Sequence, residues 1–397
     1  MNVAALRRPA SAAPAETEAQ SLPAWIYRDA EFFERERQAI FRHSWQVVCH
    51  LNDVPRPGDY HTFDFLGEPL AVVRTDEGVR AFHNVCRHRA ARLLDGPRGS
   101  CGRRITCPYH AWTYALDGRL IGVPQREAFP GLDSSRHGLA TLEHEVFMGF
   151  VFVRLATGLP SVREMAAPYA AELGAYRMEE LVPLGRTSLR PRAVNWKNVA
   201  DNFSDGLHIN VAHPGLTRLF GRGYGIEAQP WIDKMWGELR DAPSRNWSER
   251  AYQRLLPPVP HLPPERQRLW TYFKLWPNVA FDIYPDQVDF MQFVPVSPTE
   301  TLVREVAYVH PDARRALSQL AHQPAREPRG QGPHRAGAGG HGLEQLHRRS
   351  LELGRSVPAQ LRAAHAGTDS REHPAAPSAA RLESWLKEPT TAHATMR

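Results

Sequence analysis

Two short cysteine–histidine motifs constrain this chain more than any other feature of its sequence. CRH at residues 86–88 and CPYH at residues 107–110 form a C-x-H half and a C-x-x-H half, separated by 18 residues. Both halves are predicted to lie in loops after strands. The chain has only four cysteines in 397 residues, too few for a disulfide framework, so metal ligation explains the motifs better. The other two, Cys49 and Cys101, are expected to be a buried thiol and a loop thiol.

The ligand types favour an iron–sulfur cluster. Two thiolates and two neutral imidazoles suit a Rieske-type 2Fe-2S centre, with Cys86 and Cys107 on one iron and His88 and His110 on the other. A Cys2His2 zinc site is the alternative, because it uses the same residue types. A C-x-H first half is unusual for zinc, which favours the cluster.

A second group of polar residues lies in the segment NWKNVADNFSDGLHINVAH, residues 195–213. His208 and His213 are candidates for two ligands of a mononuclear Fe(II), which two histidines and one carboxylate commonly bind. Their spacing places them roughly 140° apart on a regular helix, so a break between them is expected. Asp205 precedes His208 by three residues, hence beside it on a helix, and suits orienting that imidazole.

The flanks CRHRAARL and CPYHAWTYALDGRL, with the second segment, resemble the large, α-type subunit of Rieske-type non-haem iron ring-hydroxylating oxygenases. The resemblance implies an α+β fold: an N-terminal antiparallel-β Rieske domain and a C-terminal α+β helix-grip (START-like) catalytic domain. It implies one 2Fe-2S cluster and one Fe(II) per chain. It also implies that Asp205 bridges from His208 to His110 of the partner subunit in a homotrimer. Asp201 and Asn202 match family positions near the iron, but a capping or surface role is favoured for both.

The sequence departs from the family at the two cluster loops and at the third iron ligand, and Asp205 bears on the substrate. Many family members carry Gly where this chain has Ala90 and Ala111, and a methyl group there is tolerable unless the backbone needs a positive φ. Asp205 favours an aromatic substrate, since members that act on ammonium compounds often carry Glu there. The family's third iron ligand, an Asp on a C-terminal helix, cannot be found.

The composition of the C-terminal segment suggests a hypothesis for the missing ligand. From Ala316 onward the chain contains no Ile, Phe or Tyr and is dense in Arg, Gly, Ala, His and Pro. Back-translated with permissible GC-rich codons and read one base later, this segment can give a helical, family-like sequence, so our hypothesis is a frameshift near Leu317. A divergent disordered tail is the alternative.

Other patterns set the domain limits. The predicted units are a disordered N-terminus at 1–22, a Rieske domain at 40–155, an incomplete catalytic domain at 180–316 and a low-complexity tail at 317–397.

An amphipathic helix is predicted from Asp29 to Trp45, with Asp29 as its N-cap, and a hairpin turn at residues 76–78. Aromatic strands after residue 269 predict a curved sheet around an apolar pocket.

Composition excludes other classes. The net charge of +6 is supplied mostly by the C-terminal segment, and the basic residues neither stripe one face nor alternate with aromatics, which argues against nucleic acid. No apolar run is long enough for a membrane helix, and the N-terminus lacks a signal-peptide core, which predicts a cytoplasmic location.

The predicted function is that of an oxygenase component. Electrons from a ferredoxin or flavin reductase pass through the cluster to Fe(II), which activates O2 to hydroxylate or demethylate an aromatic or other small organic substrate. The alternative is a catalytically dead oxygenase or an iron–sulfur electron carrier, because a third iron ligand is missing.

Overall fold

The structure of the protein is a computed structural model that describes residues 22–256 and 258–312. The predicted N-terminal segment, except Leu22, and the tail at 317–397 with its frameshift hypothesis lie outside the described residues. Leu22 is buried in a small cluster with Ile26 and Phe32.

The first helix confirms the predicted N-cap. Helix α1, Ala30–Glu36, begins after Asp29, whose carboxylate accepts a hydrogen bond from the Phe32 N–H at 2.6 Å. The helix continues as one turn of π-helix, Arg37–Phe41, and then ends. The helical segment is therefore shorter than predicted, because the chain extends into a strand directly after Trp45.

Three small antiparallel sheets follow, built from strands that lie between residues 46 and 154. Strands β1, β10 and β9 pair in that order, strands β4, β3, β2 and β5 form the second sheet, and β6, β7 and β8 form the third. Their bounds are β1 Gln46–His50, β2 Asp59–Phe65, β3 Glu68–Thr75, β4 Gly78–His83, β5 Arg98–Ser100, β6 Arg104–Thr106, β7 Thr113–Ala115, β8 Leu120–Gly122, β9 Glu143–Phe147 and β10 Phe150–Arg154. The predicted hairpin turn joins β3 and β4, which pair from Leu70–His83 to Thr75–Gly78.

The second half of the chain is one eight-stranded antiparallel sheet with helices. The sheet order is β11, β18, β17, β16, β15, β14, β13, and β12 also pairs with β18. The strands are β11 Val182–Pro183, β12 Ser188–Arg192, β13 Gly225–Ala228, β14 Ile232–Glu238, β15 Leu269–Leu275, β16 Val279–Ile283, β17 Val288–Ser297 and β18 Glu300–Val309. The remaining helices are α2 Val162–Met165, α3 Ala170–Gly174, α4 Trp196–Ser204, α5 Ile209–Ala212, α6 Pro214–Phe220 and α7 Trp247–Leu255.

The two halves share buried side chains. One hydrophobic cluster joins Val47 and Phe150 to Phe273 and Val306 across the boundary. The fully buried Arg304 donates to the Val47 carbonyl at 2.6 Å, so a charged side chain from β18 is held by the backbone of β1. The fold class, α+β with a Rieske β domain and a catalytic domain, is confirmed; the domain limits 40–155 and 180–316 stay a prediction.

A buried ion pair fixes the helix that precedes the second candidate centre. Lys197 on α4 lies 2.8 Å from the Glu36 carboxylate, and both side chains are almost completely buried. The Trp196 indole N–H donates to the same carboxylate at 3.1 Å. Because a buried charge without its partner is costly, the N-terminal helix α1 and α4 are locked together.

None of the described helices has the length and apolar character needed to cross a membrane.

Candidate metal centres

Two loops with matching backbone hydrogen bonds form the first candidate centre. The Cys86 N–H donates to the Ala91 carbonyl at 2.8 Å, and the Cys107 N–H donates to the Trp112 carbonyl at the same distance. Each loop therefore folds back five residues after its cysteine. As predicted, each loop follows a strand, β4 for the first and β6 for the second.

The four candidate ligands come together between these loops. Cys86 and Cys107 are both 3% exposed, and the rings of His88 and His110 have their centroids 4.8 Å apart. The Nδ1 atoms of both imidazoles are buried and have no hydrogen-bond partner. A buried ring nitrogen with no partner is costly unless it binds something. Two thiols beside two such nitrogens fit a 2Fe-2S cluster.

Aromatic side chains hold the imidazoles in place. His88 stacks on Trp112 with a centroid distance of 4.9 Å and an interplanar angle of 8°, and Phe129 packs edge-on against His88 at 5.6 Å. His110 lies against Tyr109, which is 59% exposed. The imidazole side of the site is therefore closer to solvent than the thiol side.

Tyr114 was not predicted as part of this centre. Its hydroxyl lies 3.2 Å from the Cys86 sulfur and accepts the Arg87 N–H at 3.0 Å. Burial, followed by the contact with Cys86, raises the pKa of Tyr114 well above its usual value, so the hydroxyl stays protonated. Once Cys86 holds iron as a thiolate, the hydroxyl is the only member of this pair that can donate. The TY that follows the second motif in CPYHAWTY is the sequence signal that could have indicated it.

A methyl group at positions 90 and 111 was expected to be tolerable unless the backbone there needs a positive φ. Both residues have φ of 54°, in the left-handed region that favours glycine. In each loop this residue donates its N–H to the carbonyl of the cysteine four residues earlier, at 3.0 Å. The condition under which the substitution carries strain is therefore met in both loops.

The second candidate centre lies around the short helix α5. His208 precedes this helix and His213 follows it, with a non-helical φ of −120° and ψ of 66°. The predicted interruption is present, and it brings the two rings to a centroid distance of 4.9 Å. Helix α5 ends at Ala212 and Pro214 starts α6, so the proline both follows one helix and opens the next.

Asp205 contacts His208, but not from the same helix. Helix α4 ends at Ser204, and Asp205 has an extended backbone with φ −84° and ψ 136°, so its predicted helical placement is wrong. A turn brings the two together: Asp205 Oδ1 accepts the Leu207 N–H at 2.7 Å, and Oδ2 lies 3.1 Å from His208 Nδ1. An Nδ1–H that donates to the carboxylate leaves Nε2 available for a metal.

Gly206 lies between Asp205 and His208 and packs closely against a neighbouring segment. A Cβ atom there would lie 2.6 Å from Ile226 Cδ1 and 3.2 Å from the ring of Tyr224, so a larger residue would displace the end of the Ile226 side chain.

The described residues do not supply a third ligand. Within residues 22–312, Pro257 excepted, no group of three or more His, Cys, Asp or Glu side chains is arranged to hold a single metal ion. In a 2Fe-2S cluster each iron takes only two side chains, so this finding does not affect the first centre. At the second centre, His208 and His213 account for two of the three expected ligands.

A cavity of about 340 Å³ opens beside the two histidines. It lies on the large sheet, as predicted, and its wall combines apolar and charged side chains. The lining includes Phe203, Leu216, Met291, Tyr224, Tyr272, His208, His213, Arg186, Arg190, Asp282, Asp289 and Glu305. Single acidic residues inside the apolar runs VAFDIY and DFMQFVPV were the sequence signal for two of these carboxylates.

Two family models match the chain. The model of the Rieske [2Fe-2S] domain matches residues 44–142, and that of the ring hydroxylating alpha subunit (catalytic domain) matches residues 177–342. The carnitine monooxygenase oxygenase subunit of Acinetobacter pittii is 31% identical over 298 residues, which cover 72% of this chain and 74% of that protein. The chain belongs to the Rieske-type oxygenase α-subunit family. Members of this family carry a 2Fe-2S cluster and a non-haem iron, as the resemblance implied.

Two further comparisons also match Rieske monooxygenases. The carnitine monooxygenase oxygenase subunit of Escherichia coli is 36% identical over 203 residues, which cover 50% of this chain and 54% of that protein. The chain thus spans about half the length of this relative. A crystal structure of a quaternary ammonium Rieske monooxygenase with a bound inhibitor has a TM-score of 0.63 at 25% identity, covering 76% of this chain and 80% of that one.

Proposed function

We propose that this chain is the oxygenase component of a multi-protein system that uses O2 to oxidise a small organic substrate. Two features of one chain support the proposal. The Nδ1 atoms of His88 and His110 lack hydrogen-bond partners and lie beside two buried thiols. Separately, His208 and His213 lie together beside a cavity. When bound, the cluster supplies single electrons and the iron supplies a site for O2. Cys86, His88, Cys107 and His110 hold the cluster, and His208 and His213 hold the iron.

Asp205 acts as a positioning residue. It fixes the His208 ring through the 3.1 Å contact to Nδ1, which keeps Nε2 directed away from the carboxylate. Each carboxylate oxygen has two lone pairs, so after the contacts with His208 and Leu207 each oxygen can still accept one more hydrogen bond. That capacity supports a bridge to His110 of the partner subunit, through which electrons pass between the centres.

The proposed assembly is a homotrimer in which the cluster of one subunit faces the iron of the next. Exposed apolar side chains flank both centres: Leu207 and Val211 around His208 are 83% and 86% exposed, and Tyr109 beside His110 is 59% exposed. Apolar side chains exposed next to two redox centres favour a subunit interface there. The electron donor to this assembly is a ferredoxin or a flavin reductase.

We propose a small quaternary ammonium compound as the substrate. The relatives named above are a carnitine monooxygenase subunit and a quaternary ammonium monooxygenase. The aromatic substrate inferred from Asp205 is the alternative, and it rests on that one residue of this chain.

A second candidate is an iron–sulfur electron carrier without oxygenase activity. It is favoured by the finding that the described residues supply two histidines and no third metal ligand at the second centre. Two imidazoles alone bind Fe(II) weakly.

A single-turnover experiment separates the two candidates. The cluster is reduced with one electron equivalent without O2, excess reductant is removed, and the protein is mixed with O2 and a trimethylammonium substrate. The oxygenase predicts oxidised product together with cluster reoxidation that depends on substrate. Reoxidation at the same rate without substrate, and with no product, would favour the electron carrier.

A further inference from the structure

Strand β12 and the residues just before it contribute a row of polar side chains to the cavity. Arg186, Ser188 and Arg190 all line it, and the last two belong to β12, which pairs with β18. Side chains two residues apart in a strand point to the same face, so the row follows one side of the cavity. This side of the cavity therefore carries two guanidinium groups and one hydroxyl.

The two arginines differ in how their charges are balanced. Arg190 Nε lies 3.4 Å from the carboxylate of Glu305, which also lines the cavity, and it donates to Ser188 Oγ at 3.2 Å. Within the described part of the chain, the Arg186 guanidinium forms no ion pair and no hydrogen bond. The Arg186 side chain is also exposed, so it lies where the cavity opens to solvent. Its charge is therefore available to a ligand that enters there.

The other two carboxylates of the cavity lie further along the sheet. Asp289 is on β17 and Asp282 is on β16, two and three strands away from β12. At the usual spacing between neighbouring strands, these strands lie about 10 and 14 Å from β12. Both carboxylates are buried, and Asp289 accepts a hydrogen bond from the Gln287 amide at 2.6 Å. The exposed positive charge of Arg186 is thus separated from the buried acidic residues.

Further hydrogen-bond donors lie beside Arg186. Gly185 also lines the cavity, and within the described residues neither its N–H nor that of Arg186 donates to a backbone carbonyl. Ser188 Oγ accepts the hydrogen bond from Arg190, which leaves the hydroxyl hydrogen able to donate elsewhere. Guanidinium, amide and hydroxyl donors grouped in this way suit a carboxylate, which accepts several hydrogen bonds and pairs well with arginine.

We infer that Arg186 and the Ser188 hydroxyl bind a carboxylate group of the substrate at the opening of the cavity. This inference rests on the proposed function, because it names a second group on the substrate of the same site. An ammonium substrate that fits is then a zwitterion. Its anionic end is held beside β12, and the rest of the molecule lies in the cavity that His208 and His213 also line.

Binding of a matched pair of compounds tests the inference. γ-Butyrobetaine and its primary amide share the trimethylammonium group and have nearly the same shape, but only γ-butyrobetaine carries a carboxylate. Titration calorimetry with the oxidised, cluster-containing protein, without electron donor, measures both affinities without turnover. We expect γ-butyrobetaine to bind at least about fivefold more tightly, and the preference to shrink at high salt because Arg186 is exposed. Equal affinities in the wild-type protein would overturn the inference.

Variants locate the preference for the carboxylate. Arg186→Gln should bring the two affinities to within about twofold by weakening γ-butyrobetaine alone, and Arg186→Lys should retain part of the preference because it keeps the charge. Arg245→Gln is the matched control, because Arg245 is also exposed and does not line the cavity. A preference that survives Arg186→Gln, or that falls equally in the control, would refute the assignment. Turnover without the preference would overturn only this inference, and the preference without turnover would overturn only the oxygenase function.

Discussion

Ala90 and Ala111 occupy equivalent positions in two separate loops, each with φ of 54° and each donating its N–H to the carbonyl of a candidate cluster cysteine at 3.0 Å. Both loops around this site therefore need a residue with a left-handed backbone, and in both loops that residue is a strained alanine. Since the loops hold the candidate ligands, this strain bears on how firmly the site is formed.

Replacing these alanines with glycine should stabilise the Rieske domain. The left-handed conformation costs alanine about 1–2 kcal/mol, and the greater chain entropy of unfolded glycine costs about 0.5–1 kcal/mol, so each change should gain up to about 1.5 kcal/mol. Thermal unfolding followed by the loss of cluster absorption measures the effect. Ala91→Gly is the control, because Ala91 is not among the residues with positive φ and should gain nothing. Equal effects at positions 90 and 91 would show that strain is not the cause.

Removing the Tyr114 hydroxyl should lower the reduction potential of the cluster. A hydrogen bond to the sulfur stabilises the more negative reduced state, so Tyr114→Phe loses part of that stabilisation. The expected shift is on the order of 40 mV for 1 kcal/mol of lost interaction, measured by redox titration of the visible spectrum. Tyr109→Phe, which alters an exposed side chain against His110, should change the potential much less. An unchanged potential in Tyr114→Phe would mean that the 3.2 Å contact is not a functional hydrogen bond.

Asp205→Ala should leave the cluster intact but impair its communication with the second centre. The variant loses the contact that orients His208 and the proposed bridge to His110 of the partner subunit. A reduction of about 10- to 100-fold in single-turnover yield is expected, with unchanged cluster absorption. If the yield stays at the wild-type level, Asp205 is only a structural residue of the turn at Gly206.

His61 should make the protein less stable as the pH falls. Burial, and secondly the charge of Arg304, lower the pKa of His61 to about 4 from an ordinary value of 6.5. Between these values the unfolded chain binds a proton that the folded chain does not, so stability is full above pH 6.5 and declines below it. From pH 7 to pH 5 the loss should be about 2 kcal/mol, and urea unfolding of His61→Gln should show a correspondingly smaller decline. Parallel pH profiles for the two proteins would exclude this role.

The chemistry of both centres could be read from the sequence because their residues are close together in the chain. The four candidate cluster ligands lie in two loops, and His208 and His213 are five residues apart, so spacing alone predicts their grouping. The α+β class and the hairpin between β3 and β4 followed from equally local patterns. Whether these residues bind metal stays a prediction.

The other features of the two centres depend on tertiary contacts that the spacing of residues along the chain does not predict. The facing of Asp282 and Asp289 requires the register of β16 and β17, and the contact between Tyr114 and Cys86 joins residues 28 positions apart. Asp205 reaches His208 through a turn after the end of α4, whereas the two residues were expected to lie beside each other on one helix. Each of these features arises from tertiary packing and not from local periodicity.

The central claim is that one chain holds both a 2Fe-2S cluster and a separate mononuclear iron. Iron and acid-labile sulfide per chain, measured after anaerobic reconstitution and desalting, test it most directly. The account predicts about three irons and two sulfides, with one iron lost selectively in a His208→Ala/His213→Ala double variant. About two irons and two sulfides in the wild-type protein would contradict the mononuclear site, and zinc without sulfide would contradict the cluster.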